Sequence, residues 1–157
     1  MMIPENIKST LCVLQDKLHG IPWMVVASTN LALQDIPLQP NDVDVLTTQE
    51  GMTRIRERLQ KYTIKPTRYT RTGSTGSYLD AYTIDDTSVE VMAHKEICID
   101  SVWQERPFFP KTHYITYQGR ALPLCPLEEE LAAYQRLGRE KDKEKIEQIK
   151  IRLQKSI

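Results

Sequence analysis

The residues of this sequence best suited to chemistry are two aspartates, Asp42 and Asp44, which flank Val43 at the start of an apolar run. Side chains at positions i and i+2 of a β-strand point to the same face, so a strand over residues 42–46 would place the two carboxylates side by side. Neighbouring negative charges repel each other, and a bound cation removes that cost. Carboxylate oxygens suit Mg²⁺, which keeps its other positions for water and substrate phosphates. The pair therefore indicates a magnesium site.

A third acid, Glu90, lies within the apolar segment 89–92. An isolated buried carboxylate is costly, so Glu90 is expected either to face solvent or to meet a partner such as a metal ion. With Asp42 and Asp44 it would complete a three-carboxylate site for two Mg²⁺ ions. Two such ions about 3.5–4 Å apart stabilise the attacking and the leaving oxygen of an in-line phosphoryl displacement.

The apolar run 23–27 predicts a buried strand that leads into Ser28 and Thr29. Ser and Thr are common helix caps, so these two residues are expected to begin a brief helix that includes Leu33. The free N–H groups and the positive dipole end at such a helix start would bind phosphate. An ordinary structural cap is the alternative interpretation.

Hydrophobic periodicity predicts the elements that position these residues. Helices are predicted near residues 5–19, 51–62 and from Pro126 onward; strands near 23–27, 42–46, 65–72, 77–84, 88–93 and 114–117; a hairpin turn at 73–76; and an irregular segment at 94–112. The pattern favours an α+β fold, with a mixed β-sheet flanked by helices and a C-terminal helical hairpin. We expect a single domain over residues 1–157, with a core of about 1–120 and C-terminal helices of about 126–157.

Composition limits the possible functions. The 157 residues carry 21 Lys+Arg and 21 Asp+Glu, so the formal net charge is zero. Without an excess of positive charge, the protein is not expected to bind duplex nucleic acid by counterion release. No apolar run reaches the roughly 20 residues of a membrane span, and the N-terminal residues lack the layout of a signal peptide. We expect a soluble cytoplasmic protein that does not bind membranes.

The cysteines and histidines indicate no additional site. Cys12, Cys98 and Cys125 are widely spaced, and neither Cys-x-x-Cys nor His-Glu-x-x-His occurs. The three thiols are expected to be small buried side chains in a reducing compartment.

The order of these motifs resembles the polymerase-β-like nucleotidyltransferases, particularly their small stand-alone and antibiotic-modifying members. Members have a Gly-Ser helix start, Asp-x-Asp on one strand, a third acid on a later strand and often a helical Lys-Asp segment. The matching segments here are residues 27–28, 41–44, 89–91 and 139–142. Two positions depart from the pattern, since Ala27 replaces the Gly and residues 38–40 lack the Arg that is common before Asp-x-Asp.

The resemblance implies Mg²⁺-dependent transfer of a nucleoside monophosphate from an NTP to a small-molecule or protein acceptor. It also implies that Asp42 and Asp44 bind metal and that Glu90 binds metal or activates the acceptor hydroxyl. Ser28 would contact the triphosphate, with Thr29 at the same helix start. By the same resemblance, Lys141 is a further candidate for a phosphate contact.

Two other functions stay open. A non-catalytic nucleotide-binding or antitoxin-like interaction protein on the same fold is favoured by Ala27, whose Cβ hinders close approach of the backbone to a phosphate. The Lys- and Glu-rich C-terminal hairpin could then serve as the docking face for a protein partner. A purely structural domain is the third possibility, because Asp-x-Asp can also begin a strand at a surface turn.

Overall fold

A mixed β-sheet of eight strands organises residues 3–155, the part of the chain that the computed structural model describes. Helices pack on both of its faces and confirm the α+β class. The strands are β1 (Trp23–Val26), β2 (Val43–Thr47), β3 (Thr63–Thr72), β4 (Thr75–Ile84), β5 (Thr87–Ile99), β6 (Val102–Phe108), β7 (His113–Tyr117) and β8 (Arg120–Leu124). The helices are α1 (Glu5–Lys17), α2 (Ala27–Leu33), α3 (Gln49–Arg58), α4 (Leu127–Leu137) and α5 (Lys143–Lys155), with a 3₁₀ turn at Glu140–Asp142.

The sheet combines parallel and antiparallel pairs at its centre. β1 runs antiparallel to β2, whereas β2 pairs with β5 and β1 with β8 in parallel. The order across the sheet is β3-β4-β5-β2-β1-β8-β7, and β6 pairs with the C-terminal half of β5. Parallel neighbours need a crossover connection, and here α3 and the β3–β4 hairpin link β2 to β5. The two strands that carry the predicted acids are therefore neighbours.

Successive side chains of β2 point alternately to the main core and to the opposite face of the sheet. Val43 and Val45 are fully buried in the main core, which also contains apolar side chains of α1 and α3. Asp44 points the other way, to the face where Leu46 packs with Met92 of β5. The main core thus holds β2 in place, and the opposite face is left for polar groups.

The C-terminal helices cover part of that opposite face as a hairpin, as the sequence predicts. α4 ends at Gly138, whose left-handed backbone (φ 63°) is the usual way to terminate a helix. α4 and α5 pack with α2 through a smaller apolar cluster of Leu31, Ile36, Leu127, Tyr134 and Ile149. This cluster holds α4 and α5 against α2, and thereby keeps the basic residues of the hairpin near the start of α2.

The prediction that residues 94–112 are irregular is wrong. β5 continues to Ile99 and turns into β6, which pairs with it antiparallel, for example Cys98 opposite Trp103. Most residues of β6 are exposed, so no apolar alternation marks the strand. Its backbone hydrogen bonds to β5 are what make it a strand, and those depend on tertiary pairing.

Three smaller expectations also differ from the structure. α2 begins at Ala27, so Ser28 and Thr29 lie inside its first turn and do not cap it. β8 is not indicated by the hydrophobic pattern, because it is short and contains a proline. Of the cysteines, Cys125 alone is buried, while Cys12 is exposed and Cys98 is half-buried.

In the described part of the chain, no helix has the length and apolar character to cross a membrane.

Candidate active site

A cleft of about 620 Å³ lies between the acidic face of the sheet and the C-terminal helices. Five of the six residues predicted to act in catalysis or binding line it: Asp42, Asp44, Glu90, Ser28 and Lys141. They come from separate parts of the chain, and the fold brings them to one place. The cleft is therefore the candidate active site.

Strand register positions the acids within this cleft. Asp44 lies opposite Glu90 in the parallel β2–β5 pair and opposite Val26 in the antiparallel β1–β2 pair. Because α2 begins directly after Val26, the last residue of β1, the start of α2 and Ser28 lie beside Asp44. Asp42 precedes β2 on the same face.

Thr29 makes a different contact from the one predicted. Its side chain is buried, does not line the cleft, and donates a hydrogen bond from its hydroxyl to the backbone carbonyl of Asp42. This bond joins α2 to the segment that carries the two aspartates. Thr29 therefore helps to hold the aspartate segment in place.

The acidic end of the cleft concentrates negative charge. Burial raises the pKa of Asp44 from 3.8 to about 7, and the charges of Asp42 and Glu90 add to that rise. Glu90 also forms an ion pair with Arg68, with 3.6 Å between Oε2 and Nη2. Both partners of this pair are well exposed, so it is weak and readily broken.

These acids fit a divalent cation in charge and donor type. Among residues 3–155, no three His, Cys, Asp or Glu side chains lie close enough together to hold a metal ion. Mg²⁺, however, is commonly held by one or two carboxylates together with substrate phosphates, and Asp42 and Asp44 meet that requirement. Glu90 becomes a third ligand only if it leaves Arg68.

Glu130, which no pattern in the sequence marks as functional, is the most buried acid of the cleft. Its Oε2 accepts hydrogen bonds from the backbone N–H of Ala27 (2.6 Å) and from Asn30 Nδ2 (2.8 Å). Burial raises the pKa of Glu130 to about 7, although these two bonds lower it in part. In the sequence, Glu130 is one of three consecutive glutamates in the first turn of a helix, and nothing distinguishes it from its neighbours.

Ala27 occupies a backbone conformation that favours glycine. Its φ of 62° is in the left-handed region, where the Cβ of an L-residue costs about 1–2 kcal/mol. The resemblance places glycine at this position, and the structure supplies the physical reason. Ala27 is a strained residue at the point where β1 becomes α2.

Ala27→Gly is expected to stabilise the protein by about 0.5–1 kcal/mol, because relief of the φ strain exceeds the added entropy of the unfolded chain. Urea denaturation measures the free energy of unfolding. Ala132→Gly, at an exposed position inside α4, is the matched control and should destabilise by about 1 kcal/mol. A loss of stability in both variants would contradict the strain assigned to Ala27.

Besides Arg68 on the sheet, the cleft is lined by basic side chains of the C-terminal segment: Arg136, Arg139, Lys141 and Lys145. Lys145 lowers the pKa of both Asp44 and Glu130, which opposes the rise caused by burial. Its Nζ lies 3.9 Å from Asp142 Oδ1 and 5.4 Å from the centre of the Tyr134 ring. In the sequence this residue belongs to a charge run typical of a solvated helix face, and only the packing of α5 turns it towards the cleft.

The sheet topology and the carboxylates of β2 and β5 beside a helix start define a small member of the nucleotidyltransferase superfamily. A family model of the aminoglycoside-2''-adenylyltransferases matches residues 9–150, and the chain belongs to that family. Sequence comparison with curated proteins gave no match.

Solved structures share the fold over nearly the whole chain. A Thermotoga maritima protein assigned as a nucleotidyltransferase has 26% sequence identity and a TM-score of 0.77, with 93% of each chain covered. The lincosamide antibiotic adenylyltransferase LnuA, bound to lincomycin, has 13% identity and a TM-score of 0.60, covering 94% of this chain and 97% of LnuA. ANT(2'')-Ia, in complex with adenylyl-2''-tobramycin, has 12% identity and a TM-score of 0.51, covering 96% of this chain and 87% of that one. At such identities the two antibiotic enzymes show the common fold alone.

Proposed function

We propose that this protein is a Mg²⁺-dependent nucleotidyltransferase that transfers a nucleoside monophosphate from an NTP to a small-molecule or protein acceptor. The observation that carries the proposal is the register of β2 with β5, which sets Asp44 opposite Glu90 and beside Asp42 in one cleft. The family supports the reaction class, since ANT(2'')-Ia was solved with an adenylylated aminoglycoside.

Asp42 and Asp44 would hold the magnesium, with Glu90 as a third ligand or as the base. Bound Mg²⁺ would offset the negative charge of the triphosphate oxygens. The acceptor oxygen forms a bond to the α-phosphorus, and the bond from that phosphorus to the pyrophosphate oxygen breaks. The Glu90 carboxylate, after leaving Arg68, takes the hydroxyl proton of the acceptor.

The nucleotide would lie between Ser28 and the basic side chains of the C-terminal helices. Ser28 offers its hydroxyl at the wall of the cleft, and Lys141 and Lys145 offer positive charge. Cations on this side oppose the repulsion between a triphosphate and the three acids. They also favour departure of pyrophosphate, which carries away negative charge.

Incubation with Mg²⁺, each α-labelled NTP and a panel of hydroxylated small molecules tests the proposal. We expect NTP binding, label transfer and pyrophosphate release, and loss of transfer in the double variant Asp42→Ala/Asp44→Ala. The double variant Asp16→Ala/Asp35→Ala, at positions outside the cleft, is the matched control and should keep the activity. Equal NTP binding and turnover in wild type and in the Asp42/Asp44 variant would contradict the metal-site assignment.

Lys145→Met is expected to weaken NTP binding about tenfold, because one charge-assisted contact to phosphate is worth about 1.5 kcal/mol. Isothermal titration with a non-hydrolysable NTP and Mg²⁺ measures the change. Lys150→Met, an exposed position on the same helix, should leave the affinity unchanged. Equal affinities for the Lys145 variant and wild type would remove Lys145 from the nucleotide site.

One observation favours a second candidate, a nucleotide-binding or antitoxin-like protein that does not catalyse transfer. The backbone N–H of Ala27 donates to Glu130 Oε2, so this group is already engaged at the point where the helix start would meet a phosphate. Such a protein would bind a protein partner and release no pyrophosphate with any NTP. Wild-type pyrophosphate release that depends on Asp42 and Asp44 would exclude it.

A further inference from the structure

The cleft continues beyond the acids, towards the turn between β3 and β4. We name this part the outer chamber; it is lined by Thr70, Ser77, His94, Phe108, Arg136 and Leu137. His94 lies four residues after Glu90 on β5, which corresponds to roughly 13 Å along a strand. A molecule that fills the chamber can therefore reach the acidic end with one of its groups.

Protein atoms bound the far end of the outer chamber. Gly73, in the β3–β4 turn, has a φ of 58°, and a Cβ built there would lie 2.6 Å from Leu137 Cδ2. The turn thus packs directly against the end of α4. The chamber is a bounded space with hydroxyl groups on the sheet side and apolar contacts from Phe108 and Leu137.

Polar groups of the outer chamber are uncharged on the sheet side. Ser77 Oγ and His94 Nδ1 share a hydrogen bond of 2.7 Å. Burial, aided by the charge of Arg136, lowers the pKa of His94 to about 4, so the imidazole is neutral at physiological pH. Within residues 3–155, His94 Nε2 has no hydrogen-bond partner, which leaves it for a ligand.

The charges along the cleft are divided unequally. Its described acids are Asp42, Asp44, Glu90, Glu129 and Glu130. Asp44 and Glu90 belong to the β2–β5 pair, Asp42 directly precedes β2, and the two other glutamates lie in the first turn of α4. The outer chamber has one charged side chain, Arg136, and no described carboxylate forms an ion pair with it. A polycation in the chamber would meet a like charge and no acid, whereas a neutral or anionic molecule would not.

We propose that the outer chamber holds the body of the acceptor and selects a neutral or anionic hydroxyl compound with an apolar face over a polycation. His94 and Ser77 hydrogen-bond its hydroxyl groups, Phe108 and Leu137 contact its apolar face, and Arg136 excludes cations. This rests on the proposed function, because the reacting hydroxyl is the group that reaches Glu90. This acceptor preference would distinguish the protein from an enzyme that adenylylates aminoglycosides, because aminoglycosides are polycations.

Titration of three probes in 10 mM Mg²⁺ at low ionic strength tests the assignment: 4-nitrophenyl glucoside, 4-nitrophenyl glucuronide and tobramycin. We expect both glycosides to bind at least about tenfold more tightly than tobramycin, since contacts between like charges are unfavourable. Arg136→Glu should shift the ratio of glucuronide to tobramycin affinity towards tobramycin by at least about tenfold. Arg106→Glu, the same change at an exposed site on β6 outside the cleft, should leave the ratio unchanged.

His94→Phe is expected to weaken both glycosides about tenfold without altering their ratio, because it removes a hydrogen bond and no charge. The assignment is overturned if tobramycin binds as tightly as the glycosides, if no glycoside binds, or if Arg136→Glu and Arg106→Glu have equal effects. ATP–Mg²⁺ binding is titrated on the same preparations. If the wild-type protein binds no ATP but still prefers the glycosides, the proposed function alone is contradicted. If it carries out ATP-dependent transfer and prefers tobramycin as the acceptor, the chamber assignment alone is contradicted.

Discussion

Asp44→Asn is expected to reduce nucleotide transfer by about 10³-fold, the largest effect predicted for this protein. Asp44 lies opposite Glu90 and on the same face as Asp42, so it is central to the acidic end of the cleft. The amide keeps the size of the side chain and removes the charge that would balance a divalent cation. Pyrophosphate release with Mg²⁺ and the preferred NTP measures the loss.

The same substitution is expected to stabilise the protein when Mg²⁺ is absent. The pKa of Asp44 rises from 3.8 to about 7 on folding, so the folded state binds a proton that the unfolded state has lost between those pH values. The contribution of Asp44 to stability is therefore greatest below about pH 4 and is lost as the pH rises through 7. At pH 8 the variant is expected to be more stable than wild type by about 2–4 kcal/mol.

Urea denaturation in EDTA at pH 5 and pH 8 tests this gain. Asp100→Asn is the matched control, because Asp100 is exposed in the β5–β6 turn and its left-handed φ of 49° is tolerated by Asn. The control should change neither activity nor stability. An active Asp44 variant, or one that gains no stability at pH 8, would contradict the charge cluster assigned to the cleft.

Glu130→Gln is expected to remove much of the decrease in stability that the metal-free protein undergoes as the pH rises. The pKa of Glu130 rises from 4.5 to about 7 in the folded state, so stability from this group is present below about pH 4.5 and is lost as the pH rises through 7. A shift of this size corresponds to about 3 kcal/mol. The variant should match wild type near pH 5 and exceed it by roughly that amount at pH 8.

The hydrogen bonds of Glu130 make Gln the appropriate replacement. One oxygen, Oε2, accepts from both Ala27 and Asn30, and an amide oxygen also has two lone pairs for these donors. Glu130→Ala, in contrast, leaves both donors unsatisfied and should destabilise the protein at every pH.

Glu128→Gln, in the exposed start of the same helix, is the control, and its unfolding curve should follow wild type across the pH range. Thermal denaturation in EDTA from pH 5 to pH 8 gives the profiles. Parallel profiles for wild type and Glu130→Gln would show that Glu130 does not hold a proton in the folded state.

Local patterns in the sequence predict most of the elements because most of them bury an alternating or helical apolar face. β2, β5 and α4 are examples, and the left-handed glycine after α4 is visible as Gly138. β6 is the counterexample. Its residues are exposed, so its strand character comes from hydrogen bonds to the long β5 and leaves no mark in its own hydropathy.

The sequence by itself determined which acids could act together. The spacing of Asp42 and Asp44 predicts that they share a face, because residues i and i+2 of a strand point the same way, and Glu90 is conspicuous as a charge in an apolar strand. Tertiary structure decided that all three line one cleft, because only the parallel register of β2 with β5 sets Asp44 opposite Glu90. It also decided the positions of Glu130 and Lys145. Each lies in a helix that is rich in charged residues, and only the packing of that helix turns its side chain towards the cleft.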